Sequence, residues 1–106
     1  MDTKLVVTRK NNILFGTIQN SDRLNATIAP DVKKQLNNQL NKSDINFVLD
    51  LSNIKFIDST GFGVLISALK TARQNSHNFY LSNIQKEVMD LLVLMKLDKV
   101  FDFYQE

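Results

Sequence analysis

The chain has 106 residues, 43% of them hydrophobic and 23% charged, with a net charge of +2 and no cysteine. That is the size and balance of one globular unit able to bury a core; disulfides, thiolate chemistry and cysteine–zinc sites are excluded, and scattered Lys and Arg form no basic stripe for nucleic acid. No apolar run approaches the roughly 18 residues of a membrane span and no signal-peptide core follows Met1, so the reading is one cytoplasmic domain over residues 1–106.

In chain order, Leu5-Val6-Val7-Thr8 and Ile13-Leu14-Phe15-Gly16-Thr17-Ile18 are β-branched and aromatic runs separated by polar Arg9-Lys10-Asn11-Asn12, the pattern of a hairpin. Asn20 to Asn25 reads as a loop. Pro30 suits the first turn of a helix, where its missing N–H does no harm; Val32, Leu36 and Leu40 give that helix one apolar stripe, and the asparagines around them mark a solvated face. Ile45 to Leu51 is nearly continuous in apolar character, as a strand covered on both faces should be. After a break at Ser52-Asn53, Ile54 to Ile57 leads into a second helix, Thr60 to Gln74, with Val64, Leu65, Ala68, Leu69 and Ala72 on its apolar side. Asn78 to Leu81 is a short strand. Ser82 and Gln85 are spaced as a capping box ahead of a third helix, Gln85 to Leu97. Its stripe is Val88, Leu91, Leu92 and Met95, which leaves Val93 or Leu94 exposed. Val100 to Phe103 reads as a final edge strand, open enough to support weak dimers of an otherwise monomeric protein. A hairpin followed by alternating helices and strands indicates the α/β class. The expected fold is a mixed sheet with right-handed crossovers, packed by three to four helices lying mostly on one side.

The densest chemistry lies in Phe56-Ile57-Asp58-Ser59-Thr60-Gly61-Phe62-Gly63-Val64-Leu65. A hydrophobic run ends in an acid, two hydroxyls and two of the three glycines, where a helical pattern starts. Ser59 at a helix N-terminus can cap free N–H groups. Phosphorylated, it would set an anion where the helix dipole favours one. A plain cap, by Ser59 or by Asp58, is the competing reading. Gly61 and Gly63 remove side chains that would hold a partner's backbone away, and Phe62, offset from the Val64, Leu65, Ala68 stripe, reads as an exposed contact. His77, the one histidine, lies in a polar turn and reads as solvated, with no ligand spacing for a metal and no support for a Ser–His pair. Asp22, Asp31 and Asp44 read as caps. There is no phosphate-cradling glycine loop. The chain reads as the substrate of an enzyme, not an enzyme, with no cofactor and no metal.

Asp58-Ser59-Thr60-Gly61-Phe62-Gly63-Val64-Leu65, after a hydrophobic strand and ahead of a helix, resembles the signature of STAS domains. More narrowly it resembles the bacterial anti-sigma factor antagonists, whose pattern is Asp-Ser-(Ser/Thr)-Gly-Leu-Gly-Val-Leu; the resemblance covers nearly the whole chain. It implies partner switching. The antagonist binds a serine-kinase anti-sigma factor, is phosphorylated on the residue that here is Ser59, lets go, and is reset by a metal-dependent serine phosphatase. It further implies a contact surface of Asp58, Thr60, Gly61, Phe62, Gly63 and the loop carrying Asn25. Two departures stand out: Asn25 replaces the usual Asp of Leu-Asp-x-x-x-Ala, and Phe62 replaces the usual Leu. Many relatives also continue into a fourth helix beyond the position of Gln105-Glu106. Other members of the family suggest two alternatives, a constitutive STAS subunit of a lipid-transport ABC complex and an unswitched kinase scaffold.

Overall fold

The computed structural model describes residues 4–42 and 45–105; Asp44 lies outside them. Strands β1 (Leu5–Lys10) and β2 (Ile13–Ile18) form the expected hairpin, with Lys10 opposite Ile13. Its turn is set by Asn11 at φ 57°, a left-handed conformation that asparagine tolerates better than most residues. Strand β3 (Arg23–Leu24), helix α1 (Ala29–Lys42), strands β4 (Asn46–Asp50) and β5 (Phe56–Ile57), helix α2 (Ser59–Gln74), strand β6 (Phe79–Ser82), helix α3 (Lys86–Leu94) and strand β7 (Asp102–Phe103) follow. The main sheet runs β1-β2-β4-β6-β7, antiparallel at the hairpin and parallel elsewhere. This is the mixed α/β sheet with three helices that the patterning indicates.

Side-chain alternation divides the sheet into two unlike faces. Ile18, Phe47, Leu49, Phe79 and Leu81 join the core built with Val32, Leu36 and Leu40 of α1, Leu65 and Leu69 of α2, and Val88 and Leu92 of α3. Val48 is fully buried on the opposite face, where Phe15 and Tyr80 flank it in register and Tyr104 packs on both rings at 5.7 and 5.8 Å. A small aromatic cluster thus covers the face that the main core does not.

Several boundaries differ from the sequence reading. Asn20 to Asn25 is not all loop: β3 pairs in parallel with β5 as a separate two-stranded sheet, Arg23 opposite Phe56 and Leu24 opposite Ile57. Helix α2 begins at Ser59, one residue early. Helix α3 begins after Gln85, which makes no side-chain capping bond; its amide instead donates to the Ser52 carbonyl at 2.7 Å, so the Ser82–Gln85 capping box does not form. That helix also stops at Leu94, because Lys96 turns to φ 60° and the Lys96 and Leu97 N–H groups fold back onto Val93 and Leu92. This is a Schellman ending without its usual glycine. Met95 is consequently exposed rather than on the buried stripe, and Val93 and Leu94 are both exposed. The final edge strand is only Asp102–Phe103.

His77 is buried, not solvated. Its Nδ1 lies 2.7 Å from the Ile45 carbonyl, which fixes Nδ1 as the donor and ties the α2–β6 turn to the start of β4. The asparagine tract is also not simply a solvated face. Asn37 accepts from Thr71 Oγ1 at 3.2 Å and donates to Ser67 Oγ at 3.4 Å, while Asn75 donates to Asn41 at 3.2 Å, so a polar seam joins α1 to α2.

Candidate functional site

The sequence motif folds into the junction where β5 hands over to α2. Asp58 is the N-cap residue, with extended backbone at φ −95° and ψ −177°. Its Oδ1 accepts from the Gly61 N–H at 2.9 Å and its Oδ2 from the Ala26 N–H at 3.3 Å. One carboxylate therefore closes the helix and clamps the loop after β3 to it. That loop is held from the other side by the Asp58 N–H, which donates to the Leu24 carbonyl at 3.3 Å. Asn25 is half-buried, and its Oδ1 accepts from the Thr27 N–H at 3.1 Å, while its carbonyl accepts from Ala29 at 2.8 Å. The amide thus does the turn-forming work that an aspartate would do here.

Because Asp58 supplies the cap, Ser59 is released from that task. It is the first helical residue and is exposed, as is Thr60 beside it. In the first turn the Ser59 and Thr60 N–H groups have no acceptor within the helix. An anion attached to Ser59 would meet those two donors and the positive end of the helix dipole.

The two glycines have different reasons. Gly61 is buried, and a Cβ there would lie 2.2 Å from the Leu24 carbonyl oxygen and 2.7 Å from Ile57 Cγ2. Its missing side chain lets α2 close on the β3 loop and serves the interior, not a partner's approach. Gly63 is exposed and a Cβ would meet nothing within 4 Å, so this position alone of the two keeps the outer surface low.

Phe62 is 3% exposed, which corrects its expected place on the surface. It lies three residues before Leu65 and seven before Leu69, within the buried stripe, so it is a core residue and presents no ring to a partner. The exposed aromatic near the motif is Phe56, 42% exposed, with the Arg23 guanidinium 5.7 Å from its ring centre. The patterning did not single it out, although strand alternation carries the signal: Ile57 points inward, so Phe56 must point out. The structure therefore brings Asp58, Ser59, Thr60, Gly63, the Asn25 loop and the Arg23–Phe56 pair to one end of the molecule and withdraws Gly61 and Phe62 beneath it. A larger concavity of about 710 Å³, lined by Leu81, Asn83, Ile84, Met89, Phe103 and Tyr104, contains none of the motif residues.

With this geometry in place, comparison with known proteins is decisive for the family. The STAS domain pattern matches residues 4–106. The chain belongs to the STAS domain family. Among curated relatives it is 29% identical, over 79 residues, to the anti-sigma-B factor antagonist of Listeria monocytogenes, covering 74% of this chain and 69% of that one. Among solved structures it is similar to a Thermotoga maritima protein assigned to the anti-sigma factor antagonists (25% identity, TM-score 0.82, 96% of this chain and 86% of that chain). It also shares the fold of the anti-sigma factor antagonist SpoIIAA in its unphosphorylated form, at 9% identity and TM-score 0.70, covering 96% of this chain and 87% of that one. Among the described residues no helix of this STAS domain is long and apolar enough to cross a membrane.

Proposed function

We propose that this STAS domain is an anti-sigma factor antagonist whose binding to its partner is switched off by phosphorylation of Ser59. The observation that carries the reading is the division of labour at the start of α2. Asp58 caps the helix, and Ser59 stands one residue later, exposed. A hydroxyl that caps a helix cannot be modified without cost to the fold; a hydroxyl next to the cap can. The similarity to proteins named as anti-sigma factor antagonists points the same way.

On this reading the protein works in the cytoplasm and carries no catalysis of its own. It binds an anti-sigma factor that is also a serine kinase, freeing the sigma factor, and a metal-dependent phosphatase resets it. The contact surface is Ser59, Thr60, Gly63, the outer side of Asp58, the Asn25 loop, and Phe56 under Arg23. Phosphate adds about −1.5 to −2 charge at Ser59. The helix N-terminus offsets that within the fold by roughly 0.3–1 kcal/mol, so the chain stays folded. At the interface, a unit-charge repulsion across about 6 Å at an effective dielectric near 20 costs roughly 3 kcal/mol, about a hundredfold in affinity. The partner is therefore released without the antagonist unfolding.

The test is a kinase assay with serine-kinase anti-sigma factors of the source organism, with the modified residue mapped by mass spectrometry. Phosphate on Ser59, absent from Ser59→Ala, supports the reading. If no kinase modifies the chain, and wild type, Ser59→Ala and Ser59→Glu hold one stable partner alike, the protein is a constitutive STAS subunit and the reading is wrong.

A further inference from the structure

Helix α2 carries a second feature on the side that begins at Ser59. Ser59, Gly63, Ser67, Lys70 and Gln74 recur at intervals of three and four residues, so they share one helical side. All are exposed or half-buried. From Gly63 onward this side borders α1 along a groove of about 370 Å³, whose lining includes Lys33, Gly63, Ile66, Lys70 and Gln74. Half-buried Ile66 gives it an apolar element, the bare Gly63 keeps one end open, and Lys33 and Lys70 supply its charge.

We propose that this groove docks an acidic segment of the anti-sigma factor. The proposal rests on the reading above and names the charge of the surface that the partner must present. Three observations carry it. First, the groove is cationic and not neutralised: no carboxylate lines it, and among the described residues the ion pairs involve Arg23 and Lys86, not Lys33 or Lys70. The acid nearest in sequence, Asp31, lies one helical turn before Gln35, whose side chain accepts from the Leu5 N–H of β1, so Asp31 is on the far flank of α1. Second, the groove is preformed. The Asn37–Ser67, Asn37–Thr71 and Asn41–Asn75 bonds lock the two helices in register, which lowers the ordering cost of docking. Third, it is continuous with the Ser59 site. At about 1.5 Å per residue, Gly63 lies roughly 6 Å along the axis from Ser59 and Lys70 roughly 17 Å. The helix register that pairs Asn37 with Ser67 and Thr71 sets Lys33 beside Gly63 and Ser67, at the Ser59 end.

The arrangement links docking to release. Carboxylates drawn to Lys33, at the Ser59 end of the groove, are nearer a phosphate on Ser59 and more strongly repelled by it than those at Lys70, which lie further along the axis and are more fully screened. The same partner charge reads both signals.

The experiment is a titration of the unmodified chain with the serine-kinase anti-sigma factor that it binds, at low and high salt. Lys33→Glu and Lys70→Glu should each weaken binding about tenfold at low salt, with the difference shrinking as salt rises. The variants Lys33→Gln and Lys70→Gln should show smaller losses in the same order. Arg9→Glu with Lys10→Glu, at the far end of β1 and equal in charge change to the two groove reversals combined, should leave affinity within about threefold of wild type, since steering without contact affects mainly the on-rate. Melting curves confirm that each variant is folded. Combining Ser59→Glu with Lys33→Gln should give a loss different from the sum of the single changes, while Ser59→Glu with Lys70→Gln should be additive. If the two groove charge reversals together bind no more weakly than the Arg9, Lys10 control, the groove proposal is overturned. In that case, Ser59→Glu still abolishing binding would leave the phosphorylation switch standing. If no such factor binds the wild-type chain at all, the switch and the groove fall together.

Discussion

Gly61 and Gly63 sit two residues apart in one motif on one helix, yet the structure assigns them opposite responses to the same substitution. At Gly61 an added methyl would stand 2.2 Å from the Leu24 carbonyl oxygen and 2.7 Å from Ile57 Cγ2. The first of these is backbone, held by the Asp58 N–H, so it cannot rotate away. Overpacking of this kind costs roughly 1–3 kcal/mol, more where backbone must move, less the gain of up to about 1 kcal/mol that Ala brings to a helix interior over Gly. The net expectation for Gly61→Ala is a loss of about 1–2 kcal/mol, or roughly 5–15 °C in Tm for a domain of this size. At Gly63 the added methyl meets nothing within 4 Å, so the helix gain is uncompensated. Gly63→Ala should raise stability by about 0.5–1 kcal/mol. Thermal and urea unfolding of both variants would measure the difference. The reasoning fails if Gly61→Ala melts at or above wild type, or if Gly63→Ala loses as much as Gly61→Ala. The pair also separates fold from function: Gly63→Ala should weaken partner binding while strengthening the fold.

Three further expectations follow from the same site and its surroundings. Phe62→Ala should cost about 3–5 kcal/mol in chemical denaturation as a buried aromatic truncation, whereas Phe56→Ala should cost about 1 kcal/mol or less, mainly its cation–π contact, and lose partner affinity in a direct titration. Asp58→Ala removes the helix cap and the clamp on Ala26 together, so unfolding should show a loss of about 1–2 kcal/mol, with amide exchange in the Asn25–Ile28 loop accelerated. Ser76, at φ 60° in the Schellman ending of α2, is a left-handed residue with a Cβ; Ser76→Gly should raise Tm by a few degrees, relieving roughly 1 kcal/mol of strain.

The fold was legible wherever an apolar pattern ran long enough to be read locally. Ile45 to Leu51 and the stripe of α2 could be read directly, and the hairpin followed from two β-rich runs around a polar turn. What escaped depended on distant partners. Strand β3 is two residues long and exists only because Phe56 and Ile57 pair with it across more than thirty positions. His77 is buried and bonded to the carbonyl of Ile45, and Asn37 and Asn41 are tied to Ser67, Thr71 and Asn75 by side-chain hydrogen bonds; none of these partners is a neighbour in sequence. The end of α3 differs from the pattern because Lys96, not glycine, takes the left-handed position, whereas α2 ends at Gln74 as its stripe indicates. In the site itself, Asp58 and Ser59 are both good caps, so composition left the choice between them open. Only the bonds from Gly61 and Ala26 assign the cap to Asp58. Phe62 departs from the sequence reading for a related reason: the buried face of α2 is wider than the Val64, Leu65, Ala68 stripe and includes it.

The central claim is that phosphate on Ser59 breaks the interface and spares the fold. Its most direct test is the affinity of the anti-sigma factor for the unmodified chain and for the chain stoichiometrically phosphorylated on Ser59, with melting curves of both forms. The account predicts that affinity falls about a hundredfold, as one desolvated unit-charge repulsion requires, while the two Tm values agree within a few degrees. Equal affinity of the two forms, or a loss of binding accompanied by unfolding of the phosphorylated chain, would contradict it.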